Sequence, residues 1–189
     1  MDNSYAGTKC RGVFADCETD MDGNPVEFAM IDEVGMPIYA TPIKPPKDQG
    51  YIHARKQLPQ RLLDKAPTLS EITPIIEEIT ANKTCFFWNA SHDLECLPHC
   101  FSRANGVVCA MQRFALLNGE FSMWRGTYNF ISLDQAMELL GLEWPSGVRH
   151  RAATDAEALR RVWNWLERTT IESLLAKDPK RLSNGGSPF

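Results

Sequence analysis

The sequence lacks any apolar segment long enough to cross a membrane, and it lacks an excess of positive charge. A transmembrane helix needs about 20 consecutive apolar residues, and no run in the 189 residues approaches that length. Twenty Lys and Arg residues stand against 24 Asp and Glu residues, which gives a formal net charge of −4. This balance argues against a protein that holds long nucleic acid along a broad basic face. No membrane partner is expected.

Other signatures are also missing. The sequence contains no internal repeat, no Walker-type phosphate-binding loop and no dinucleotide-binding fingerprint. Its first residues, Met1 to Ser4, are polar and lack the basic and apolar parts of a secretion leader. We therefore expect a cytoplasmic protein whose six cysteines stay reduced.

The length and composition fit one globular domain. The chain is 43% hydrophobic, which is enough for a sizeable core in 189 residues. We expect residues 1–178 to form this single domain. The remaining residues, 179–189, are rich in Gly and Ser, and we expect them to form a flexible tail.

Hydrophobic patterns and turn residues predict an alternating order of elements. Strands are predicted at residues 12–15, 26–31, 38–43, 85–88 and 107–111. Helices are predicted at residues 68–80, 91–105, 132–140 and 155–175. Pro74 leaves two alternatives open for the first helix, a bend at Pro74 or a start at Thr73. The order predicts an α/β fold with a central mixed five-stranded sheet flanked by helices.

Two acids, Asp16 and Glu18, follow the first apolar strand. Side chains alternate along a strand with a period of two, so both carboxylates face the same side. Like charges this close are costly in a partly dry cleft unless cations neutralise them. Carboxylate oxygens select hard ions such as Mg²⁺ or Mn²⁺. The pair therefore predicts a metal site.

Two later segments supply further groups. Asp93 stands at the start of a predicted helix, and His150 precedes Asp155 by five residues. Two metal ions about 3.5–4 Å apart can hold the attacking and leaving oxygens of a phosphodiester. A histidine has an unperturbed pKa of about 6.5, so a neutral imidazole can accept a proton near neutral pH. Together these side chains are what a two-metal phosphodiesterase needs.

The same residues also have ordinary structural explanations. Acids in the first turn of a helix are stabilised by the helix dipole, which accounts for Asp93 and Asp155 without a metal. Thr154 and Glu157 match a capping box, which predicts Thr154 as the N-cap of the last helix. This explanation does not account for His150.

A second group of metal-binding residue types lies within the predicted helix at residues 91–105. Zinc-type ligands occur at four nearby positions: His92, Cys96, His99 and Cys100. Pro98 interrupts this helix, and structural zinc sites usually draw ligand pairs from two segments. We keep zinc as a minor alternative to the carboxylate site.

The three segments, in this order, resemble the motifs of the DEDDh family of 3′-to-5′ exonucleases. The sequence Asp16-x-Glu18-Thr19 is similar to the first motif, and residues 89–93 are similar to the second. The segment from His150 to Asp155 is similar to the third motif and keeps the family's interval between histidine and acid. The resemblance implies a ribonuclease H-like fold.

The resemblance also implies an activity and cofactors. It implies a metal-dependent exonuclease that releases nucleoside 5′-monophosphates from the 3′ end of single-stranded nucleic acid, with two divalent ions, Mg²⁺ or Mn²⁺. In this scheme Asp16 bridges both ions, while Glu18 and Asp155 hold the ion on the nucleophile side. Asp93 supports the site through metal or water. His150 is the general base.

Substrate contacts are implied at three positions: Thr19, Asn89 and His92. Many relatives carry a His-Gly-Ile element that contacts the 3′-terminal nucleotide, where this chain has Lys56-Gln57-Leu58. The choice between DNA and RNA stays open, with DNA slightly favoured. The alternative function is a non-catalytic protein of the same fold that binds nucleic-acid ends. The oligomeric state, a homodimer included, is also open.

Overall fold

The structure is a computed structural model that describes residues 12–46 and 58–169. Three predictions concern residues outside these ranges. They are the flexible tail at residues 179–189, residues 170–175 of the predicted final helix, and the substrate contact region at residues 56 and 57. Within the described residues the final helix ends at Arg168, because Thr169 is extended with φ −111° and ψ 115°.

Five strands form one mixed sheet, which confirms the predicted fold class. The strands are β1 (Gly12–Thr19), β2 (Pro25–Asp32), β3 (Pro37–Pro42), β4 (Thr84–Phe87) and β5 (Gly106–Cys109). Their order across the sheet is β3-β2-β1-β4-β5. β2 is antiparallel to β1 and β3, whereas β4 is parallel to β1 and β5. β1 is therefore the central strand.

Helices surround this sheet in the described part of the chain. They are α1 (Gln60–Leu63), α2 (Leu69–Thr80), α3 (Ala90–Cys96), α4 (Ala110–Asn118), α5 (Leu133–Leu139) and α6 (Ala152–Arg168). A small hairpin, β6 (Phe121–Ser122) and β7 (Thr127–Tyr128), connects α4 to α5. None of the helices in the described ranges has the length and apolar character of a membrane span.

The alternation of side chains along β1 separates two hydrophobic clusters. Val13 and Ala15 pack in one cluster with residues of α2 and α3, and Phe14 packs in the other with residues of α6. Because the period is two, Asp16 and Glu18 lie on the same face as Phe14. The acids of the central strand therefore lie on the side that α6 covers.

Helix α6 buries one apolar stripe, as the sequence predicts. The stripe consists of Leu159, Val162, Trp163 and Leu166, all of which are buried. The Phe86 ring of β4 lies 4.6 Å from the Trp163 ring, centroid to centroid. These contacts hold α6 against the sheet and thereby place its N-terminus beside the end of β1.

β1 is longer than predicted, ending at Thr19 instead of residue 15. The extension follows from pairing with β2, which places Ala29 opposite Asp16 and Glu27 opposite Glu18. The two acids are therefore held inside a strand and do not follow its end.

Helix α3 is shorter than predicted, ending at Cys96 instead of residue 105. Pro98 lacks an amide hydrogen and disfavours helical geometry in the residue before it. Leu97 accordingly leaves the helical region, with φ −120° and ψ 58°. The prediction of helix is therefore wrong for residues 97–105.

The start of α6 differs from the predicted capping box. The N-cap is Arg151 and the helix begins at Ala152, so the prediction of Thr154 as N-cap is wrong. Glu27 of β2 accepts the Ala152 amide hydrogen at 3.1 Å, which satisfies this end of the helix from a distant strand. Glu157 pairs with arginines of its own helix instead.

The alternatives at Pro74 are resolved in favour of a continuous helix. α2 runs from Leu69 to Thr80 through Pro74, so a start at Thr73 is excluded. The Thr68 amide donates a hydrogen bond to Glu71 at 2.7 Å, as expected of the predicted capping box. The sequence did not predict α1, α4 or the β6–β7 hairpin.

Candidate active site

One cleft lies at the end of β1, between the sheet and the helices α3, α5 and α6. Its volume is about 220 Å³. The residues that line it are Asp16, Cys17, Trp88, Asn89, His92, Asp93, Ser132, Leu133, Asp134, Trp144, His150 and Asp155. Side chains from all three sequence motifs therefore meet at this cleft.

Glu18 joins this group at one edge of the cleft. One carboxylate oxygen each of Glu18 and Asp155 and one ring nitrogen of His150 lie within 4.8 Å of one another. Glu18 is buried, and the two other residues are partly exposed. β1 supplies the first residue, and the N-terminal turn of α6 with the loop before it supplies the other two.

Asp93 is the most buried acid at the site, with 4% of its surface exposed. Its Oδ1 accepts the backbone amide hydrogen of Cys17 at 3.2 Å, which ties the first turn of α3 to β1. Burial raises the pKa of Asp93 to about 7. The hydrogen bond from the Cys17 amide acts in the opposite direction and lowers this pKa, and the Glu18 charge raises it by a smaller amount. A positive charge in the cleft would favour the ionised form of Asp93.

Protonated Asp93 is expected to contribute stability to the metal-free protein that is lost as the pH rises from about 4 to about 7. The pKa of Asp93 is about 7 in the folded protein, whereas an aspartate in an unfolded chain has a pKa of about 3.9. Between these values the folded state holds a proton that the unfolded state has released, so the free energy of unfolding falls as the pH rises. Thermal melts of EDTA-treated protein across this range measure the effect.

Asp93→Asn is the matched control for this pH dependence. The amide does not titrate, and its oxygen can still accept the Cys17 amide hydrogen. The fall in melting temperature with pH should therefore be smaller in the variant, and saturating Mn²⁺ should flatten it in the natural protein. Equal slopes in the two metal-free proteins would contradict the assignment.

The loop before α6 holds His150 in an uncommon backbone conformation. His150 has φ +59°, and its amide hydrogen is donated to Asp155 Oδ1 at 3.2 Å. Gly147 has φ +139°, and a Cβ atom there would lie 2.6 Å from Oγ1 of Thr154. The loop therefore packs closely on the first turn of α6, and only a glycine fits at position 147 without displacement.

The donor set of the cleft fits divalent cations. Carboxylates from Asp16, Glu18, Asp93 and Asp155 lie at or beside one cleft, together with the side chains of His92 and His150. Hard ions such as Mg²⁺ and Mn²⁺ prefer such oxygen-rich sites. Partly buried carboxylates in this number also need positive charge for balance. The residues present therefore suit the ions that the sequence motifs imply.

The three residues predicted to contact substrate have different positions. Asn89 and His92 line the cleft and are exposed. Thr19 is buried at the end of β1 and is not among the described residues that line the cleft. A direct contact of Thr19 with substrate stays a prediction.

The four zinc-type residues do not form a site in the described part of the chain. His92 Nε2 and Cys96 Sγ are 3.9 Å apart. Because α3 ends at Cys96, His99 and Cys100 do not continue its face. Among residues 12–46 and 58–169, the one group of three His, Cys, Asp or Glu side chains close enough to share an ion is Glu18, His150 and Asp155.

One wall of the cleft was missed by the sequence analysis. It is formed by Ser132, Asp134 and Trp144. The Arg149 guanidinium lies 4.7 Å from the centre of the Trp144 ring, and its Nη1 lies 3.3 Å from Asp134 Oδ1. The indole nitrogen of Trp144 is buried and has no hydrogen-bond partner among the described residues. A tryptophan beside a proline in the loop before His150 was the available signal.

Comparisons by sequence alone found nothing: no protein-family model matches the chain, and no curated protein matches it. Solved structures do match. A 3′-exonuclease in 3′-end-specific recognition of a histone mRNA stem-loop has a TM-score of 0.59 and 12% identity, over 83% of this chain and 81% of that chain.

Two further solved structures are similar to this chain in fold. Pop2p of S. pombe, with Mg²⁺ and Mn²⁺ bound, has a TM-score of 0.58 and 10% identity, over 86% of this chain and 85% of that chain. The nuclease domain of 3′hExo, a DEDDh family member bound to rAMP, has a TM-score of 0.52 and 15% identity, over 94% of this chain and 97% of that chain. At this level of identity the likeness concerns the fold, and the chain therefore has the ribonuclease H-like fold of the DEDDh-family 3′-exonucleases.

Proposed function

We propose that this protein is a metal-dependent 3′-to-5′ exonuclease that releases nucleoside 5′-monophosphates from single-stranded nucleic acid. The observation that carries the proposal is the meeting of Glu18, His150 and Asp155 within 4.8 Å of one another. Asp16 and Asp93 line the adjoining cleft. A fold shared with known 3′-exonucleases adds support.

The carboxylates would hold two divalent ions, Mg²⁺ or Mn²⁺. Asp16 would bridge both ions, Glu18 and Asp155 would hold the ion on the nucleophile side, and Asp93 would complete the site. When bound, the ions would stabilise negative charge on the attacking and leaving oxygens of the phosphodiester. The Mg²⁺ and Mn²⁺ bound to the similar Pop2p structure support this choice of metals.

His150 would act as the general base. Its imidazole is partly exposed beside the cleft, where it can accept a proton from a water molecule. The water oxygen forms a bond to phosphorus, the bond from phosphorus to the 3′ oxygen of the preceding nucleotide breaks, and that oxygen takes up a proton. The products are a nucleoside 5′-monophosphate and a chain one nucleotide shorter.

The wall formed by Ser132, Asp134 and Trp144, together with Arg149 beside it, would contact the terminal nucleotide or its neighbour. An indole face can stack on a base regardless of sequence. The Arg149 side chain is 60% exposed, so its guanidinium can exchange Asp134 for a phosphate at small cost. This wall, together with Asn89 and His92, is the proposed substrate-binding part of the cleft.

RNA is the first substrate to test. The sequence slightly favoured DNA, but similar solved structures contain a histone mRNA stem-loop, rAMP and AAGGA RNA. These ligands are properties of those proteins, and they favour RNA for this one. The match to the structure with AAGGA RNA covers 99% of this chain and 35% of the longer chain in that structure.

A labelled-oligomer assay tests the proposal directly. Single-stranded RNA and DNA with a 5′ label and a free 3′ hydroxyl are incubated with the protein and Mg²⁺, Mn²⁺ or EDTA. We expect a ladder of products shortened one nucleotide at a time, release of 5′-monophosphates, and no reaction in EDTA. An oligomer without a 3′ hydroxyl end, such as a circular one, should stay intact.

The alternative is a protein that binds nucleic-acid ends without cutting them. In that case the folded protein would retain labelled oligomers in a binding assay, yet it would shorten neither polymer with either metal. That result would overturn the proposal.

A further inference from the structure

Two acidic side chains lie opposite each other on the neighbouring strands β1 and β2, beside the site. Glu27 of β2 stands directly opposite Glu18 of β1 in the strand register, and both are buried. Like charges directly opposite each other destabilise an antiparallel pair. Glu27 therefore needs a counter-charge, and the structure supplies it from another element.

The counter-charge is Arg151, the N-cap of α6. Its Nε lies 3.0 and 2.9 Å from the two carboxylate oxygens of Glu27, and its Nη2 lies 2.5 Å from Oε1. Glu27 Oε2 also accepts the backbone amide hydrogen of Ala152 at 3.1 Å. We refer to this arrangement of Glu27, Arg151 and the Ala152 amide as the Glu27 clamp.

The clamp fixes the residue that directly follows His150. His150 has φ +59°, a conformation that is uncommon for a residue other than glycine and needs support from its surroundings. On one side of this bend, Asp155 accepts the His150 amide hydrogen. On the other side, the Glu27 clamp holds Arg151 in an extended conformation, with φ −122° and ψ 127°. The bend is thus held on both sides.

The clamp is separate from the cleft itself. Glu27 and Arg151 are not among the described residues that line the cleft. Glu27, the strand partner of Glu18, nonetheless connects β2 to the first turn of the helix that carries Asp155. A shift of this connection would move the imidazole of His150 and the carboxylate of Asp155 together relative to Glu18.

We propose that Glu27 is a positioning residue, whose carboxylate clamps Arg151 and the Ala152 amide and so sets His150 and Asp155 at the correct distance from Glu18. The inference rests on the proposed function for its effect on rate. Its effect on metal binding does not require turnover. Partners that orient metal-site residues from outside typically contribute about 10- to 100-fold to metal affinity or activity.

The test compares Glu27→Gln with Glu157→Gln. The first variant keeps the size of the side chain and can still accept the Ala152 amide hydrogen, but it loses the charge and the two-oxygen pairing with Arg151. The control, Glu157, also accepts hydrogen bonds from two arginines on α6, and it does so away from His150. Both changes therefore remove a similar partly buried ion pair.

Three quantities are measured in each protein: Mn²⁺ affinity by titration without substrate, amide hydrogen exchange over residues 148–155, and kcat and KM on a labelled oligomer. For Glu27→Gln we expect Mn²⁺ affinity to fall about 10-fold or more, exchange in this loop to quicken, and kcat to fall about 10- to 100-fold with little change in KM. Glu157→Gln should leave all three close to those of the natural protein.

Equal Mn²⁺ affinity and loop exchange in the natural protein and Glu27→Gln would overturn the clamp, as would equal losses in the two variants. Absence of nuclease activity in all three proteins would count against the proposed function alone, because metal affinity and exchange still test the clamp. If Glu27→Gln does not fold, Arg151→Lys takes its place, since it keeps the charge and loses the forked pairing. The same losses are then expected, in smaller measure, and their absence overturns the clamp.

Discussion

Asp16→Asn should lower the rate of nucleotide release by about three orders of magnitude or more, while the protein stays folded. Asp16 lies on the central strand and lines the cleft, and the proposed mechanism has it bridge both ions. The amide has the same size but no charge to balance divalent cations. Loss of several kcal/mol of charge stabilisation in the transition state corresponds to a factor of this size. Single-turnover rates on a labelled RNA oligomer measure it.

The matched control is Glu95→Gln, which removes a negative charge from the exposed surface of α3 outside the cleft. It should keep nearly the full rate. Asp16→Asn should still bind the oligomer, because the lost interaction acts mainly in the transition state. A rate in Asp16→Asn within about tenfold of the natural protein, at saturating metal, would exclude a bridging role for this carboxylate.

His150→Asn should lower the rate by about 100- to 10,000-fold, the usual contribution of a general base. Asparagine tolerates a positive φ better than most residues, so the bend at φ +59° should persist and the imidazole alone is removed. His99→Asn is the matched control, because His99 also has a positive φ, +69°, and is exposed away from the cleft. The control should retain its activity.

Mn²⁺ affinity decides between two roles for this histidine. Its ring lies close enough to the carboxylates of Glu18 and Asp155 to share an ion with them. A general base leaves Mn²⁺ affinity nearly unchanged when it is removed, whereas a ligand lowers it sharply. We expect the Mn²⁺ affinity of His150→Asn to equal that of the natural protein within about threefold. A larger loss would mean that His150 is a metal ligand and not the general base.

Much of the fold could be predicted because its signals are local. The period-two alternation of β1 places Asp16 and Glu18 on one face, and the apolar stripe of α6 identifies its buried side. Both patterns are set by residues near in sequence. The order of strands and helices then indicates a mixed sheet, which the structure has.

The predictions that were wrong depend on contacts distant in sequence. Thr154 looked like a helix N-cap, but Glu27 satisfies an earlier amide, that of Ala152, from a strand 125 residues away. β1 extends to Thr19 because β2 provides partners there. Neither contact can be recognised from the residues near it in sequence.

The central position of β1 has a consequence for how the protein is made. Glu18 is synthesised early, but its neighbours at the cleft are synthesised late, because His150 lies in the loop before the last described helix and Asp155 lies in that helix. A nascent chain that ends before His150 contains three of the four acids, Asp16, Glu18 and Asp93, and lacks both His150 and Asp155. For the proposed nuclease, this order means that the nascent chain has no complete active site until the segment with His150 and Asp155 has been made.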